Sequence, residues 1–174
     1  MATIWTIGHS TRTIEEFIAM LHSFNIKILA DIRSLPGSKR YPQFNQQALD
    51  VALAQAGILY IHMPALGGRR KARPDSANTA WRSRSFMGYA DYMETKDFKL
   101  AIIQLQNIAH TENVAYMCSE AVWWRCHRSL VSDYLKVQGW QVMHIMDIGK
   151  ATEHPYTAPA RVQQGNLFYD NNSS

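Results

Sequence analysis

"TIWTIGHSTRTIEEFIAMLHSFNIKILADIRS", residues 3–34, contains the pattern of a strand, a helix and a second strand. In its middle part, Phe17 and Leu21 belong to a set of apolar residues that recur at helical spacing. Thr13, followed three residues later by Glu16, forms the capping-box pattern with which helices begin. The flanking segments TIWTIGHS and KILADIRS are short apolar runs of the length and composition of strands. This stretch therefore predicts a β-α-β unit.

The rest of the chain continues the alternation of strands and helices. Strand candidates are ILYIHM, VAYMCS and QVMHIMDIG, and helix candidates are NQQALDVALAQAG, the stretch from about Met87 to His110, and WRCHRSLVSDYLKVQG. Alternation with continuous apolar strands favours a mainly parallel sheet covered by helices on both faces. We predict a single α/β domain over residues 1–174, with about five strands and an extended tail from about residue 150.

Composition narrows the classes of protein to consider. A chain of 174 residues is long enough to bury one core, and one domain is expected. It contains no run of about 18 apolar residues, so no membrane span is expected. The first residues lack the basic and apolar regions of a secretory signal. With 2 cysteines, a disulfide framework is not expected, which favours a reducing compartment and a cytoplasmic location.

Positive charge is concentrated in one segment. The net charge is +4, yet RRKARPDSANTAWRSR, residues 69–84, contains six basic residues against one aspartate. Two glycines precede it and a proline interrupts it, so it predicts a long exposed loop over residues 67–85, the basic loop. Such a loop is either a solvated surface without a partner or a phosphate-binding surface formed by Arg69, Arg70 and Lys71.

Polar side chains follow strand after strand in the predicted sheet. In open parallel sheets, ligands bind outside the carboxyl ends of the strands. The residues at or just beyond those ends are His9 and Ser10, then Asp31, Arg33 and Ser34, then His62, then Cys118 and Glu120, and finally Asp147. Each is ordinary for a loop between a strand and a helix, but together they predict one active site at this edge.

The segment CSEAVWWRCHRS, residues 118–129, contains both cysteines. Their separation of eight positions and the absence of a C-x2-C or H-x3-H partner set argue against zinc, and we predict no metal and no other cofactor. The cysteines are either small buried residues or include a nucleophile, because Arg125, Arg128 and a helix N-terminus would lower a thiol pKa.

The same segment contains a carboxylate and two adjacent tryptophans. Glu120 must be exposed, paired with a following arginine, or catalytic. Two adjacent tryptophans rarely both bury, so one is expected to remain available for stacking on a base or a sugar. The start of the following helix would suit a phosphate. The residues predicted to contact a substrate here are Trp123, Trp124, Arg125, His127 and Arg128.

Several motifs resemble the domain of unknown function 488 family. They are TIGHST at 6–11, DIRSLPGS at 31–38, LGG at 66–68, CSEAVWWRCHRSLVSDYL and EHPYTAPARVQQGNLFY, in order over nearly the whole chain. The resemblance implies a single bacterial or archaeal α/β domain that is intracellular, and it carries no settled activity. Its motifs single out His9, Ser10, Asp31, Arg33, Ser34, Pro36, Gly67, Gly68, Cys118, Glu120, Cys126, His127 and Arg128.

Three classes of function fit these residues, and we place first a metal-independent enzyme acting on nucleic acid, DNA ahead of RNA, or on nucleotides. It would hydrolyse the N-glycosidic bond of a modified or damaged base, as a repair glycosylase does, with Glu120, Asp31 and His9 as catalytic residues. The predicted substrate-binding residues are Ser10, Arg33, Ser34, Arg69, Arg70, Lys71, Trp123, Trp124, Arg125, His127 and Arg128.

Two alternatives stay open. One is a cysteine-dependent enzyme for sulfur transfer, redox or phosphoester chemistry, although Cys118 and Arg125 do not match the C-x5-R spacing of a phosphatase loop. The other is a non-catalytic nucleic-acid-binding module, for which the basic loop would suffice. The sequence carries no signal for a particular oligomeric state.

Overall fold

The β-α-β unit predicted from residues 3–34 is present in the computed structural model, which describes residues 2–171. The first helix is capped by Thr13, whose hydroxyl accepts a hydrogen bond from the Glu16 amide at 3.1 Å. The Glu16 carboxylate in turn accepts from the Thr13 amide at 3.3 Å. The capping box satisfies two backbone donors that would otherwise lack partners at the helix start.

The elements alternate as the sequence pattern predicts. The strands are β1 Thr3–Gly8, β2 Ile28–Asp31, β3 Leu59–His62, β4 Val114–Cys118, β5 Gln141–Asp147, β6 Lys150–Glu153, β7 Arg161–Gln163 and β8 Asn166–Phe168. The helices are α1 Ile14–Ser23, α2 Gln46–Gln55, α3 Arg84–Tyr92, α4 Lys96–Thr111 and α5 Arg128–Val137. Short 3-10 turns lie at Pro42–Phe44, Pro64–Leu66 and Trp123–Arg125.

The main sheet has six strands in the order β3-β2-β4-β1-β5-β6. Strands β1 to β5 are parallel, and β6 pairs antiparallel with β5 at the edge. The predicted mainly parallel sheet of about five strands in an α/β domain is therefore confirmed. The tail predicted as extended from about residue 150 contains β6 and the hairpin β7-β8, which turns at Gln164 and Gly165, both at positive φ.

Helices cover both faces of the sheet, as predicted. Along β1, Ile4 points into one core and Ile7 into the other, because successive side chains of a strand alternate between faces. Helices α1 and α2 pack on the Ile7 face through Phe17 and Leu53. Helices α3, α4 and α5 pack on the Ile4 face, where Leu130 of α5 is fully buried.

Two predicted helices have different bounds in the structure. The stretch predicted from about Met87 to His110 is two helices, because Ser83 and Thr95 each cap a helix start through the hydroxyl. The predicted basic loop of residues 67–85 consequently ends where α3 begins, at Arg84. The helix predicted from Trp124 begins only at Arg128, because a 3-10 turn precedes it.

The loops that follow the strands leave a crevice at one edge of the sheet. Loops after β1 and β2 lead to helices on the Ile7 face, whereas loops after β3 and β4 lead to helices on the Ile4 face. Neighbouring loops that leave toward opposite faces leave a crevice at the carboxyl ends of the strands. Among residues 2–171, no helix has both the length and the apolar character needed to cross a lipid bilayer.

Candidate active site

A cleft of about 620 Å³ lies at the carboxyl ends of β1, β2 and β4, and we call it the edge cleft. It is lined by His9, Ser10, Thr11, Arg33, Ser34, Leu35, Gly37, Ser38, Tyr41, Gly68, Arg69, Cys118, Ser119, Glu120, Ala121, Val122, Arg125, Cys126 and His127. Of the predicted catalytic and substrate-binding residues, eight are in this lining: His9, Ser10, Arg33, Ser34, Arg69, Glu120, Arg125 and His127.

Close backbone contacts bring the loops after β1 and β4 together. The His9 amide donates to the Cys118 carbonyl at 3.1 Å, and the Ser10 amide donates to the Ser119 carbonyl at 2.9 Å. A Cβ atom on Gly8 would lie 1.7 Å from the Glu120 carbonyl oxygen, a distance that forbids any side chain there. Gly8 is therefore required for the loop that presents Glu120.

A buried ion pair forms one side of the cleft floor. Nε and Nη2 of Arg33 donate to the two carboxylate oxygens of Asp31 at 2.9 and 2.7 Å, a bidentate arrangement. Nη2 also donates to the Phe44 carbonyl at 2.8 Å. The Tyr60 hydroxyl and the Arg33 amide complete the hydrogen bonds to the Asp31 carboxylate.

The position of Asp31 corrects its predicted catalytic role. Its side chain is fully buried, is absent from the cleft lining and already accepts four hydrogen bonds. A carboxylate enclosed in this way has no lone pair free for a substrate or a water. Asp31 instead fixes the orientation of Arg33, which does line the cleft.

His9 lies beside this pair and is neutral at neutral pH. Burial lowers its pKa to about 4, an effect that the hydrogen bond to the Ser10 carbonyl opposes and the nearby Arg33 charge reinforces. Its ring stacks on Phe44 at 4.3 Å between centroids. Because Nδ1 faces the Ser10 carbonyl at 2.9 Å, we assign the proton to Nδ1, which leaves Nε2 as an acceptor.

His127, also in the cleft lining, is held in a comparable way. Its Nε2 lies 3.0 Å from the Ile32 carbonyl, and burial is the main cause that lowers its pKa to about 4. A Cβ atom on Gly68 would approach its Nδ1 to 2.9 Å. The close approach of Gly68 explains why this position has no side chain, and the neutral ring excludes a cationic His127 as a phosphate ligand at neutral pH.

Glu120 is exposed at the rim of the cleft. Its side chain forms no hydrogen bond or ion pair with any of residues 2–171, so the alternative in which an arginine pairs with it is not realised there. Arg128 donates to the main-chain carbonyl of Glu120 at 2.9 Å rather than to its carboxylate. Arg125, also exposed, lies in the lining of the same cleft.

The two tryptophans have different surroundings. Trp123 stacks on the ring of His144, with 4.8 Å between centroids and an angle of 5° between planes, so that face of its indole is occupied. Trp124 is 52% exposed and is free to stack on a ligand. Neither ring is in the lining of the edge cleft, so any stacking by Trp124 would occur outside it.

The three predicted phosphate ligands of the basic loop are not equivalent. Arg69 is exposed and lines the cleft, at a positive φ of 62°. The guanidinium of Arg70 lies over the Tyr92 ring at 3.7 Å and donates to the Gly67 carbonyl, so it is committed to packing. Lys71 is exposed but lies outside the cleft lining.

Arg128 is fully buried, which corrects its predicted contact with a substrate phosphate. Its guanidinium donates to the Thr6 hydroxyl at 3.1 Å and to the main-chain carbonyls of Glu120 and Ala121 at 2.9 and 3.3 Å. The side chain therefore holds the turn that carries Glu120 from below. The first residue of α5 faces the core rather than the cleft.

A buried polar chain that the sequence interpretation did not find continues from Thr6. The Thr6 hydroxyl lies 2.6 Å from Nδ1 of His144, whose Nε2 lies 2.8 Å from Nδ1 of His154. Nε2 of His154 then lies 2.8 Å from the carboxylate of Asp133. The only available signal was a histidine inside the apolar run QVMHIMD, because a buried imidazole requires partners.

Both cysteines line the edge cleft, with Cys118 at 2% and Cys126 at 9% exposure. Burial opposes ionisation of Cys118, but the neighbouring Cys126 thiol and the charge of Arg128 outweigh it and lower the Cys118 pKa to about 7. Burial and the neighbouring Cys118 raise the pKa of Cys126 well above its usual value. The two sulfurs therefore differ strongly in acidity.

Two other polar residues at strand ends lie outside the cleft lining. His62 lies with Nε2 2.8 Å from the Arg33 carbonyl. Asp147 is exposed at the end of β5, where its carboxylate accepts from the Ile148 amide. In the part of the chain that the structure describes, no three His, Cys, Asp or Glu side chains converge to hold a metal ion.

Comparison with known proteins gives a family but no activity. The sequence pattern described as "Domain of unknown function DUF488" matches residues 13–135, more than half of the chain. The chain belongs to this family. The match includes Glu120 and both cysteines and begins after His9. Searches among curated proteins and solved structures found no match.

Proposed function

We propose that this DUF488 protein is a metal-independent hydrolase that cleaves the N-glycosidic bond of a modified or damaged base, in DNA or in a nucleotide. The observation that carries the proposal is Glu120, a carboxylate without a partner among residues 2–171, at the rim of a cleft of about 620 Å³. A cleft of this size can enclose one nucleotide unit. The reaction needs such a carboxylate to stabilise an oxocarbenium-like centre or to activate water.

The charges of the cleft support an anionic substrate. Arg69 and Arg125 are exposed in its lining, whereas Glu120 is its only exposed carboxylate within the described residues. Two free guanidinium groups can bind a phosphate on either side of a sugar. Because Arg33 is already paired with Asp31, its role is to shape the floor rather than to attract charge.

His9 does not supply a proton in the proposed reaction. A histidine whose pKa is lowered to about 4 cannot donate a proton to a leaving base at neutral pH. Its neutral Nε2 lies 3.4 Å from Nη1 of Arg33 and accepts from it, so His9 helps to hold Arg33 in place rather than to orient the attacking water. The proton for the leaving base would then come from solvent or from a base that is already protonated.

The test is a cleavage and binding screen of oligonucleotides that carry modified bases. Glu120→Gln keeps the shape but cannot act as an ionised carboxylate, so activity should fall by at least about a hundredfold. Binding should be retained, because the neutral amide repels phosphates less. Asp147→Asn is the matched control, since it neutralises an exposed strand-end carboxylate outside the cleft. Equal activities for Glu120→Gln and the wild type would refute the proposal.

The alternatives inferred from the sequence differ in what this screen would show. A nucleic-acid-binding module would bind oligonucleotides without turnover in any variant. A cysteine-dependent enzyme would lose activity on alkylation of Cys118 while Glu120→Gln remained active. A specific observation favours chemistry at Cys118, namely the buried Arg128 beside two thiols.

A further inference from the structure

Arg128 has an unusual environment for a buried cation. It is fully buried, and no carboxylate among residues 2–171 lies within ion-pair distance of its guanidinium. Its Nε atom has no hydrogen-bond partner within the same part of the chain. A buried charge is costly unless another charge compensates it. The hydrogen bond of Arg128 to Thr6 leads through His144 and His154 to the buried carboxylate of Asp133, three further hydrogen bonds away.

The groups that can compensate this charge locally are the two thiols. The Glu120 carbonyl accepts from both Arg128 Nη2 at 2.9 Å and Cys118 Sγ at 3.8 Å, which brings the thiol next to the guanidinium. Burial opposes the Arg128 charge, but negative charge on Cys118 or Cys126 outweighs it and raises the Arg128 pKa. The Arg128 amide also donates to Cys126 Sγ at 3.3 Å. The other charged group that faces Cys118 is Glu120, which opposes its ionisation. One negative charge shared by this pair would balance Arg128.

We propose that Cys118 and Cys126 form a dithiol site that reacts with small hydroperoxides, with Cys118 as the attacking thiolate and Cys126 as the thiol that resolves the product. This inference does not depend on the glycosidic activity. The observations that carry it are a buried guanidinium without a carboxylate and two thiols in the lining of one cleft.

The accessibility of the sulfurs selects the class of oxidant. With exposures of 2% and 9%, neither sulfur offers the in-line approach that a bulky disulfide such as oxidised glutathione requires. A hydroperoxide presents a single oxygen and can reach a nearly buried sulfur through a narrow opening. Reaction at a thiolate rather than a thiol is the general requirement for such oxidation.

Each step of the reaction balances. The Cys118 thiolate attacks the terminal oxygen of the hydroperoxide, so an S–O bond forms as the O–O bond breaks. The departing alkoxide or hydroxide takes a proton from water. The sulfur of Cys126 then attacks the Cys118 sulfenic acid and forms the disulfide, while the S–O bond breaks and water leaves with the Cys126 proton. Two thiols lose two electrons, and the hydroperoxide is reduced to alcohol and water.

The experiment exposes the reduced protein to one equivalent of hydrogen peroxide at neutral pH and follows thiol titre and intact mass. The wild type should lose both thiols and two hydrogen masses. Cys126→Ser should stop at the sulfenic acid of Cys118, which intact mass shows as one added oxygen and which dimedone captures once the oxidised protein is denatured. Cys118→Ser should consume peroxide at least about tenfold more slowly, because the remaining thiol stays protonated.

Variants of Arg128 test whether its positive charge promotes the reaction of Cys118 with peroxide. Arg128→Lys keeps the charge and should retain most of the peroxide rate, whereas Arg128→Met should slow it at least about tenfold. Retention of both thiols in the wild type would overturn the proposal, as would an unchanged rate in Cys118→Ser. If Arg128→Met does not fold, the intact mass of peroxide-treated Cys126→Ser decides: one added oxygen on Cys118 supports the site, and an unchanged mass refutes it. None of these readouts involves a nucleic acid, so they are independent of the Glu120 test.

Discussion

Arg33 lines the edge cleft and Arg128 lies behind it, and both are nearly or fully removed from solvent, yet they are compensated differently. Arg33 has a bidentate partner in Asp31 and a carbonyl acceptor in Phe44. Arg128 has a hydroxyl, two main-chain carbonyls and two neighbouring thiols but no carboxylate within ion-pair distance among residues 2–171. One arginine is fixed permanently, whereas the charge balance of the other depends on the state of a cysteine.

This difference separates structural from chemical roles in one cleft. A buried pair such as Asp31–Arg33 does not respond to oxidants or alkylating agents, and it does not respond to pH until the pair is broken, because each charge is compensated by the other. A buried cation balanced by a thiol responds to pH, oxidants and alkylating agents. Reactivity is therefore expected at the two thiols next to Arg128, and rigidity is expected at the pair that Arg33 forms with Asp31.

The largest expected effect comes from removing the cation of the fixed pair. Arg33→Met leaves the Asp31 carboxylate buried without a counter-charge, so unfolding free energy should fall by about 3 to 5 kcal/mol. Urea unfolding followed by fluorescence measures this. Arg161→Met, which breaks the partly exposed pair with Asp170, is the control and should cost less than about 1 kcal/mol.

The double variant Arg33→Met with Asp31→Leu sharpens the interpretation. Removing both charges should recover part of the loss, because no unpaired charge then remains in the interior. If the double variant is less stable than Arg33→Met, the pair is not held by charge, and the contrast with Arg128 loses its basis.

A smaller loss of unfolding free energy is expected for Arg128. Arg128→Met removes hydrogen bonds to Thr6, Glu120 and Ala121, but among residues 2–171 it leaves no buried carboxylate at ion-pair distance, so unfolding free energy should fall by about 1 to 3 kcal/mol. The same urea unfolding experiment measures this loss of unfolding free energy. A loss equal to that of Arg33→Met would mean that Arg128 stabilises a buried anion as strongly as Arg33 does.

The architecture was predictable because it depends on patterns that repeat along the chain. The capping box at Thr13, the apolar spacing of α1 and the continuous apolar strands each fix an element locally. Of the two helix bounds that were wrong, one depends on the Thr95 hydroxyl, which caps a new start within a helical pattern, and the other depends on the 3-10 turn that precedes α5. The antiparallel edge strand β6 and the hairpin β7-β8 are too short and too polar to show a period.

The site was predictable to the level of location but not of role. The rule that ligands bind at the carboxyl ends of parallel strands brought His9, Arg33 and Glu120 to one cleft. Whether a polar side chain faces the cleft or the core depends on rotation about the end of its strand or helix. That is why Asp31 and Arg128, predicted to act on a substrate, are buried behind it.

The two histidines beside these arginines give a pH test. The pKa values of His9 and His127 are lowered from 6.5 to about 4, so below pH 6.5 the unfolded chain binds protons that the folded protein does not. Stability is therefore complete above pH 6.5 and falls as pH decreases toward 4. Between pH 7 and 5.5, His127→Gln should lose about 1 kcal/mol less than the wild type, by urea unfolding at both pH values. Identical losses would show that His127 is not protected from protonation by its burial.

The smallest effect concerns the basic loop, where two adjacent arginines repeat the contrast between a free and a committed cation. Arg69 is exposed in the cleft lining, whereas Arg70 packs on Tyr92 and donates to the Gly67 carbonyl.

If the cleft binds phosphates, Arg69→Gln should weaken binding of a single-stranded oligonucleotide a few-fold and reduce the slope of log K against log salt by about 0.7. Arg70→Gln should leave that slope unchanged and lower stability instead, because it removes packing on an aromatic ring. Fluorescence anisotropy over a range of salt concentrations measures the slopes. Equal slopes for Arg69→Gln and the wild type would remove Arg69 from the binding surface, and a lower slope for Arg70→Gln alone would place the phosphate on the side of the loop that faces away from the cleft.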